Sequence, residues 1–155
     1  MSEIAELLGP DAVAADVAVA NKRGLFLALA AVAATAWDLD AKLVAERLAA
    51  REKLGTTGFG GGIAVPHAKV EGLNQVRGVF ARLTRPIDFA AVDDLPVDLV
   101  FVLLSPPDAG AEHLRALARV SRRLRDRLLA DKLRGAGSPD ALYALLTGVE
   151  AFDAV

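Results

Sequence analysis

Residues 97–104 read Val-Asp-Leu-Val-Phe-Val-Leu-Leu, and this stretch decides the fold class. Seven of its eight residues are apolar, without the alternation of apolar and polar positions that marks a strand with one exposed face. Such a run is typical of a central β-strand that helices cover on both faces. Ser105, Pro106 and Pro107 end it, because proline cannot donate to a β-ladder. The stretch therefore predicts an α/β protein.

The segments on both sides of this strand alternate between strand and helix patterns. Asn21, Asp40 and Ser138 occupy positions where their side chains can cap helices. We predict strands over 13–19, 63–65 and 76–83, and helices over 21–36, 40–55, 109–134 and 138–147, of which the third breaks or bends near 123. We also predict one or two helical turns over 2–8 and a loop over the glycine-rich residues 55–62. Four or five helices around three to five strands indicate a single domain, 1–155 with its core at about 13–147, in which a mixed sheet has helices on both faces.

Composition excludes several classes of protein. The 155 residues are 54% hydrophobic and 25% charged. This hydrophobic share is too high for a disordered chain. The net charge of −2 gives no broad positive field for nucleic acid, so we expect no nucleic-acid partner. With no cysteine, the chain has no disulfide, no thiolate nucleophile and no cysteine-based zinc site.

The longest apolar run, residues 24–37, is 14 residues long and too short for a helix that crosses a bilayer, which needs roughly 20. It follows Lys22 and Arg23, as in a secretory signal. However, the residues before it include Glu3, Glu6 and two aspartates, whereas a signal has a short basic leader. We therefore expect a core helix, no membrane insertion and a cytoplasmic protein.

His67 is the first candidate for chemistry. It follows Pro66 and the predicted strand 63–65, and α/β folds commonly place reactive groups at strand ends. Pro66 restricts the backbone from which the imidazole emerges, and the preceding glycines can present N–H groups to an anion. This setting suits a histidine that accepts a phosphoryl group. A surface histidine in a flexible loop is the alternative.

Arg51 and His113 are the other candidates. Arg51 falls in the last turn of a helix, where it either pairs with the helix dipole or donates two hydrogen bonds to phosphoryl oxygens. His113 lies on the same helical stripe as Leu117 and Val120, so it is either a partly buried histidine bonded to a carbonyl or a partner of His67.

Other site chemistries have weaker support. A metal would need His67, His113 and a carboxylate such as Glu71, Asp108 or Glu112, but no helical ligand pair is present, so we expect no metal. The glycine stretch lacks the lysine and serine of a P-loop, so we expect no nucleotide and no cofactor. Residues 115–134 hold eight basic and two acidic side chains, which a solvated helix face or an acidic protein partner would explain.

Residues 51–58 (Arg-Glu-Lys-Leu-Gly-Thr-Thr-Gly) and 62–67 (Gly-Ile-Ala-Val-Pro-His) resemble the fructose/mannitol-type enzyme IIA domains of the bacterial phosphotransferase system. The nitrogen-regulatory branch, enzyme IIA-Ntr, is the most similar. The resemblance continues through 85–89, 96–101 and 112–114, and covers most of the chain from about 13 to 147. The family fold, a mixed sheet between helices, agrees with the pattern above.

This resemblance implies that His67 accepts a phosphoryl group through Nε2 from a phosphorylated HPr-like carrier, with Arg51 and His113 in supporting positions. The chain would then be a phosphotransferase component that hands on a phosphoryl group, rather than an enzyme that turns over a small substrate. Two departures from the family pattern adjoin the site: Ala68 stands where glycine is frequent, and Gly61 replaces a common asparagine.

The resemblance leaves the use of the phosphoryl group open. Regulatory members bind target proteins according to their phosphorylation state, whereas transport members pass the group to an enzyme IIB. The sequence contains no fused carrier domain, so we expect a free-standing regulatory protein, with the sugar-transport subunit as the alternative. A second alternative is a non-catalytic binding module in which His67 is incidental.

Overall fold

The computed structural model describes residues 4–148. Two short 3₁₀-helices, Ile4–Glu6 and Pro10–Ala12, precede the first strand. The strands are β1 (Val13–Val17), β2 (Gly58–Gly60), β3 (Ile63–Ala64), β4 (His67–Lys69), β5 (Arg77–Ile87) and β6 (Val97–Ser105), and the helices are α1 (Lys22–Trp37), α2 (Ala41–Glu52), α3 (Gly110–Leu124), α4 (Arg127–Gly135) and α5 (Pro139–Thr147).

The strands form one mixed sheet in the order β1-β5-β6-β3-β2, and β4 pairs with β6 farther along the edge that β3 occupies. β5 runs antiparallel to β6, whereas β3 and β4 run parallel to it. β6 is therefore the strand against which both halves of the sheet are built. Its partner His67 lies opposite Leu103, near the carboxyl end of β6.

The burial of β6 confirms the prediction of a strand covered on both faces. Residues 99–105 are all 1% exposed or less, although consecutive side chains of a strand point to opposite faces. α1 packs against α2 and contacts the sheet, while α3, α4 and α5 contact one another in series and contact β6 and β1. The predicted α/β class, with a mixed sheet flanked by helices, is confirmed.

The predicted caps are confirmed as well. Asn21 accepts a hydrogen bond from Gly24 N at 2.8 Å, Asp40 accepts from Lys42 N at 3.0 Å, and Ser138 accepts from Ala141 N at 3.1 Å. Of the predicted break or bend near residue 123, the structure has the break, because α3 ends at Leu124 and Asp126 caps α4. Each cap satisfies a backbone N–H at the first turn of its helix.

The glycine-rich stretch 55–62 was wrongly predicted to be a loop throughout. Gly58–Gly60 forms β2, antiparallel to β3, so the sheet has six strands rather than three to five. Glycine is required in this strand because a Cβ on Gly58 would lie 2.8 Å from Cβ of Ala91. The glycines thus permit a close approach of backbone to a neighbouring loop, which composition alone does not distinguish from flexibility.

Other boundaries also differ from the sequence prediction. β5 extends to Ile87 rather than 83, and its residues 78–81 are all buried instead of alternating between buried and exposed. The second helix ends at Glu52 rather than near residue 55. In the predicted helical turns over 2–8, only Ile4–Glu6 is helical, and residues 2 and 3 lie outside the described residues. None of the helices within 4–148 is long and apolar enough to span a membrane.

Gly78 in β5 provides a test of the packing of the sheet. An added Cβ would lie 2.7 Å from Cε1 of Phe101, and Gly78 O accepts a hydrogen bond from Trp37 Nε1 at 2.9 Å. We predict that Gly78→Ala lowers the free energy of unfolding by about 1–3 kcal/mol, measured by urea denaturation. Gly135→Ala, where nothing lies within 4 Å, is the matched control and should be neutral or slightly stabilising. Equal stability of the two variants would contradict this packing.

Candidate functional site

Three separate elements bring the predicted site residues together. Arg51 lies in the last turn of α2, His67 begins β4, and His113 lies in the first turn of α3. Arg51 Nε donates to His67 Nε2 at 3.2 Å, and the ring centroids of His67 and His113 are 5.4 Å apart. His67 does not simply follow strand 63–65, as predicted, but starts a strand of its own beside β6.

The two hydrogen bonds of His67 determine which ring nitrogen carries hydrogen. Nδ1 lies 2.9 Å from Val65 O, and a carbonyl can only accept, so Nδ1 carries the hydrogen. Nε2 receives the hydrogen bond from Arg51, so it presents its lone pair. The neutral ring is therefore held with its lone pair on Nε2, and the side chain is half-buried.

Arg51 is anchored at both the helix and the following turn. Its Nη1 donates to Gly55 O at 3.0 Å, while Nε donates to His67. A guanidinium has five N–H groups, so donors remain that these two bonds do not use. The side chain is thus oriented toward His67, beyond the general attraction to the helix dipole that was the alternative explanation.

His113 is 8% exposed, and its hydrogen-bond partner is a hydroxyl, not the carbonyl that the alternative interpretation predicted. Its Nδ1 lies 2.6 Å from Oγ of Ser105, the last residue of β6. Ser105 is fully buried. From the sequence, Ser105 was expected only to end a strand, and its contact with His113 was not predicted.

Glu52 is a second residue that the sequence analysis missed as part of the site. Its Oε1 accepts from Thr57 Oγ1 at 2.6 Å, and its Oε2 accepts from Thr57 N at 3.0 Å and Lys22 Nζ at 2.9 Å. The carboxylate therefore joins α1, α2 and the segment leading to β2. The only sequence signal was its position beside Arg51 in the quoted motif.

Some charged side chains near the site are exposed to solvent, and others are buried or paired within the fold. Lys53 and Lys69 are exposed. In the basic segment 115–134, most of the basic side chains are exposed, as expected for a solvated helix face. Arg123 is the exception at 7% exposed, and Arg134 pairs with Asp98 at 2.9 Å. The positive surface is smaller than the sequence indicates.

Burial lowers the pKa of both histidines below the ordinary value of 6.5. For His67, burial is the largest cause, the hydrogen bond to Val65 O raises the pKa, the charge of Arg51 lowers it and that of Glu52 raises it. For His113, burial acts together with the charges of His67 and Lys69 to lower the pKa. Both rings are therefore mainly neutral at pH 7.

Possible metal ligands are dispersed in the described part of the chain. Among residues 4–148, no group of three or more His, Asp or Glu side chains is placed to hold a metal ion. Beside Nε2 of His67 lies instead the Arg51 guanidinium, and the neutral ring of His113 is adjacent. Such an arrangement can stabilise an anionic group attached to Nε2.

A family model for the phosphoenolpyruvate-dependent sugar phosphotransferase system, EIIA 2, matches residues 6–149. The chain belongs to this family. It is 48% identical over 143 residues to a nitrogen regulatory protein from Bradyrhizobium diazoefficiens, covering 92% of this chain and 94% of that protein. It is 42% identical over 131 residues to the nitrogen regulatory protein of Escherichia coli, covering 84% and 80% respectively.

The architecture of this EIIA chain is also similar to a solved member of the family. The crystal structure of nitrogen regulatory protein IIA-Ntr from Neisseria meningitidis superposes with a TM-score of 0.87 at 36% identity. That match covers 94% of this chain and all of the other. The fold and family expected from residues 51–67 are therefore confirmed.

The opposing charges of Arg51 and Glu52 make a prediction about His67. Arg51→Gln removes a cation that lowers the pKa of His67, so this pKa should rise; Glu52→Gln removes an anion that raises it, so this pKa should fall. Both are measured by NMR titration of the ring, with His113 followed in the same samples. Shifts in the same direction for the two variants would contradict the electrostatic account.

Proposed function

We propose that this EIIA chain is a phosphoryl carrier of the nitrogen-related phosphotransferase system that accepts a phosphoryl group on His67 Nε2. The observation that carries the proposal is the pair of hydrogen bonds from His67 to Val65 O and from Arg51 to His67 Nε2. They make one ring nitrogen a nucleophile and place a cation beside it. The phosphoryl donor is a phosphohistidine on an HPr-like protein.

In the proposed step, the lone pair of His67 Nε2 attacks phosphorus in line with the phosphorus–nitrogen bond of the donor. A new Nε2–P bond forms, and the old bond breaks with its electron pair remaining on the donor imidazole. His67 need not release a proton, since its hydrogen is on Nδ1. The positive charge that develops on the ring is stabilised by Val65 O, which already accepts that hydrogen.

The transferring oxygens require donors near Nε2. Arg51 Nε–H, now 3.2 Å from this nitrogen, is displaced by phosphorus and becomes available to the phosphoryl oxygens. The ring of His113, which is adjacent to that of His67, is the second group that supports the transferring phosphoryl oxygens. Donors held in place before the reaction stabilise developing charge more effectively than water that must reorient.

A protein donor suits the surroundings of His67. Leu54 and Leu114, which are 83% and 66% exposed, follow closely in sequence after Arg51 and His113. Exposed large apolar side chains can form part of the contact surface between two proteins. They support transfer between two docked proteins.

Regulation of target proteins is the proposed use of the phosphoryl group, because the relatives of 48% and 42% identity are nitrogen regulatory proteins. Phosphorylation adds a group of about −2 charge at the start of β4, which changes the surface a partner meets. The alternative is transfer to an enzyme IIB of a sugar transporter, since the family description names a sugar phosphotransferase system.

The non-catalytic binding module has less support. Its main evidence was the basic segment 115–134, but Arg123 is buried, with Nη2 donating to Leu145 O at 3.1 Å, and Arg134 is paired with Asp98. Two of the eight basic side chains are thereby engaged within the fold. The tight contact between Arg51 and His67 would also have no role in such a module.

The phosphoryl acceptor can be tested with the two histidines as matched controls. After incubation with a phosphorylated HPr-type donor, intact mass and peptide mapping should place one phosphoryl group on His67. His67→Ala should abolish labelling, whereas His113→Ala should retain it at His67 with a rate reduced about 10²-fold by the loss of one stabilising group. Labelling should decline as the pH falls through the lowered pKa of His67, because the protonated ring has no lone pair on Nε2.

The reverse pattern, with labelling kept in His67→Ala and lost in His113→Ala, would contradict the assignment of the acceptor. Absence of labelling in the wild-type protein, with a donor active toward another EIIA domain, would contradict the carrier function itself.

A further inference from the structure

The contact between Ser105 and His113 lies at the junction of β6 and α3. The Oγ···Nδ1 distance is 2.6 Å, and Ser105 is 0% exposed, so water does not compete for either atom. The hydroxyl is held by the end of the central strand, where Ser105 O also accepts from Val70 N at 2.8 Å. The position of Oγ is therefore set by the sheet.

The direction of this hydrogen bond follows from the partners that the hydroxyl has. Within the described residues 4–148, Ser105 Oγ has no hydrogen-bond partner other than Nδ1 of His113. If Nδ1–H donated to Oγ, the hydroxyl hydrogen would be buried without an acceptor, which is energetically unfavourable. The favourable arrangement has Oγ–H donating to a bare Nδ1.

A bare Nδ1 means that the neutral ring of His113 carries its hydrogen on Nε2. The ring lies 5.4 Å from that of His67, centroid to centroid, and the two planes meet at 54°. Since Nδ1 is engaged with Ser105, Nε2–H is the one polar group of this ring left for a ligand. His67 has the opposite arrangement, with hydrogen on Nδ1 and a lone pair on Nε2.

We propose that Ser105 is a positioning residue that holds His113 with its hydrogen on Nε2, so that this ring donates a hydrogen bond to the phosphoryl group on His67. The two histidines are thus kept in opposite tautomers, one by the carbonyl of Val65 and one by the hydroxyl of Ser105. The first provides the nucleophile and the second provides a donor. This inference rests on the proposed phosphoryl transfer to His67.

The position of the hydrogen on His113 determines whether this ring attracts or repels the phosphoryl oxygens. A neutral His113 with hydrogen on Nδ1 would direct a lone pair toward the phosphoryl oxygens and would repel them. With hydrogen on Nε2, the same ring attracts them without needing to be protonated, which fits its lowered pKa. Ser105 thereby makes His113 useful at neutral pH.

The test begins with the unphosphorylated wild-type protein, in which ¹⁵N NMR of the imidazole rings should show hydrogen on Nδ1 of His67 and on Nε2 of His113. In Ser105→Ala, the His113 signals should move toward a mixture of tautomers, and phosphoryl transfer from an HPr-type donor should slow roughly tenfold. Ser105→Thr, which keeps the hydroxyl, should restore both. Ser121→Ala removes a hydroxyl elsewhere on α3 and should change neither.

Hydrogen on Nδ1 of His113 in the wild-type protein would overturn the inference, whatever the variants do. So would Ser105→Ala with an unchanged His113 tautomer, whether transfer slows or not, since slowing alone would be a general structural effect. A changed tautomer with an unchanged transfer rate would also overturn it. Failure of the carrier function is distinguished separately, because wild-type protein would then not be labelled on His67 even though its NMR tautomers are as expected.

Discussion

The hydrogen bond between His67 Nδ1 and Val65 O is the interaction on which the site depends. It assigns the hydrogen to Nδ1 and leaves the lone pair on Nε2. In the proposed phosphoryl transfer, the same carbonyl would accept the hydrogen of the positively charged ring. The carbonyl is available because Val65 leaves the sheet between β3 and β4, while Val65 N donates to Thr57 O. Pro66 between the two strands keeps this short connection from adopting helical geometry at Val65.

The fold serves this interaction by fixing three elements around one central strand. β4 pairs with the end of β6, which positions His67 and Ser105 on neighbouring strands. α3 follows β6 after a short turn and brings His113 over Ser105. α2 supplies Arg51 from the other side, and Glu52 joins that helix to Thr57. Since these contacts arise from different segments, the arrangement exists only in the folded chain.

The sequence allowed the architecture to be predicted well, for reasons that are local. Residues 97–104 are apolar without alternation, and Asn21, Asp40 and Ser138 are side chains suited to helix caps; both signals depend on near neighbours. β2 was missed because glycine is poor in strand propensity, and only the approach of Ala91 to Gly58 explains its presence. The burial of Arg123 was missed because a helical pattern does not reveal the carbonyl of Leu145 that it meets.

Within the site, the resemblance to the enzyme IIA family indicated Arg51, His67 and His113. In the structure, Arg51 is hydrogen-bonded to His67, and the rings of His67 and His113 are adjacent. The residues that set their chemistry were not predicted. Val65 acts through its backbone, Ser105 lies eight residues from the ring it contacts, and Glu52 contacts Thr57 and Lys22. The direction of a hydrogen bond depends on which groups the fold brings together, and residue types and spacing do not show this.

The central claim is that the carbonyl of Val65 reserves Nε2 of His67 for phosphorus. Heteronuclear NMR of the ¹⁵N-labelled, phosphorylated protein tests it most directly, by detecting which ring nitrogen is coupled to ³¹P. The account predicts coupling to Nε2 of His67, with hydrogen retained on Nδ1. Coupling to Nδ1 of that ring, or to either nitrogen of His113, would contradict it.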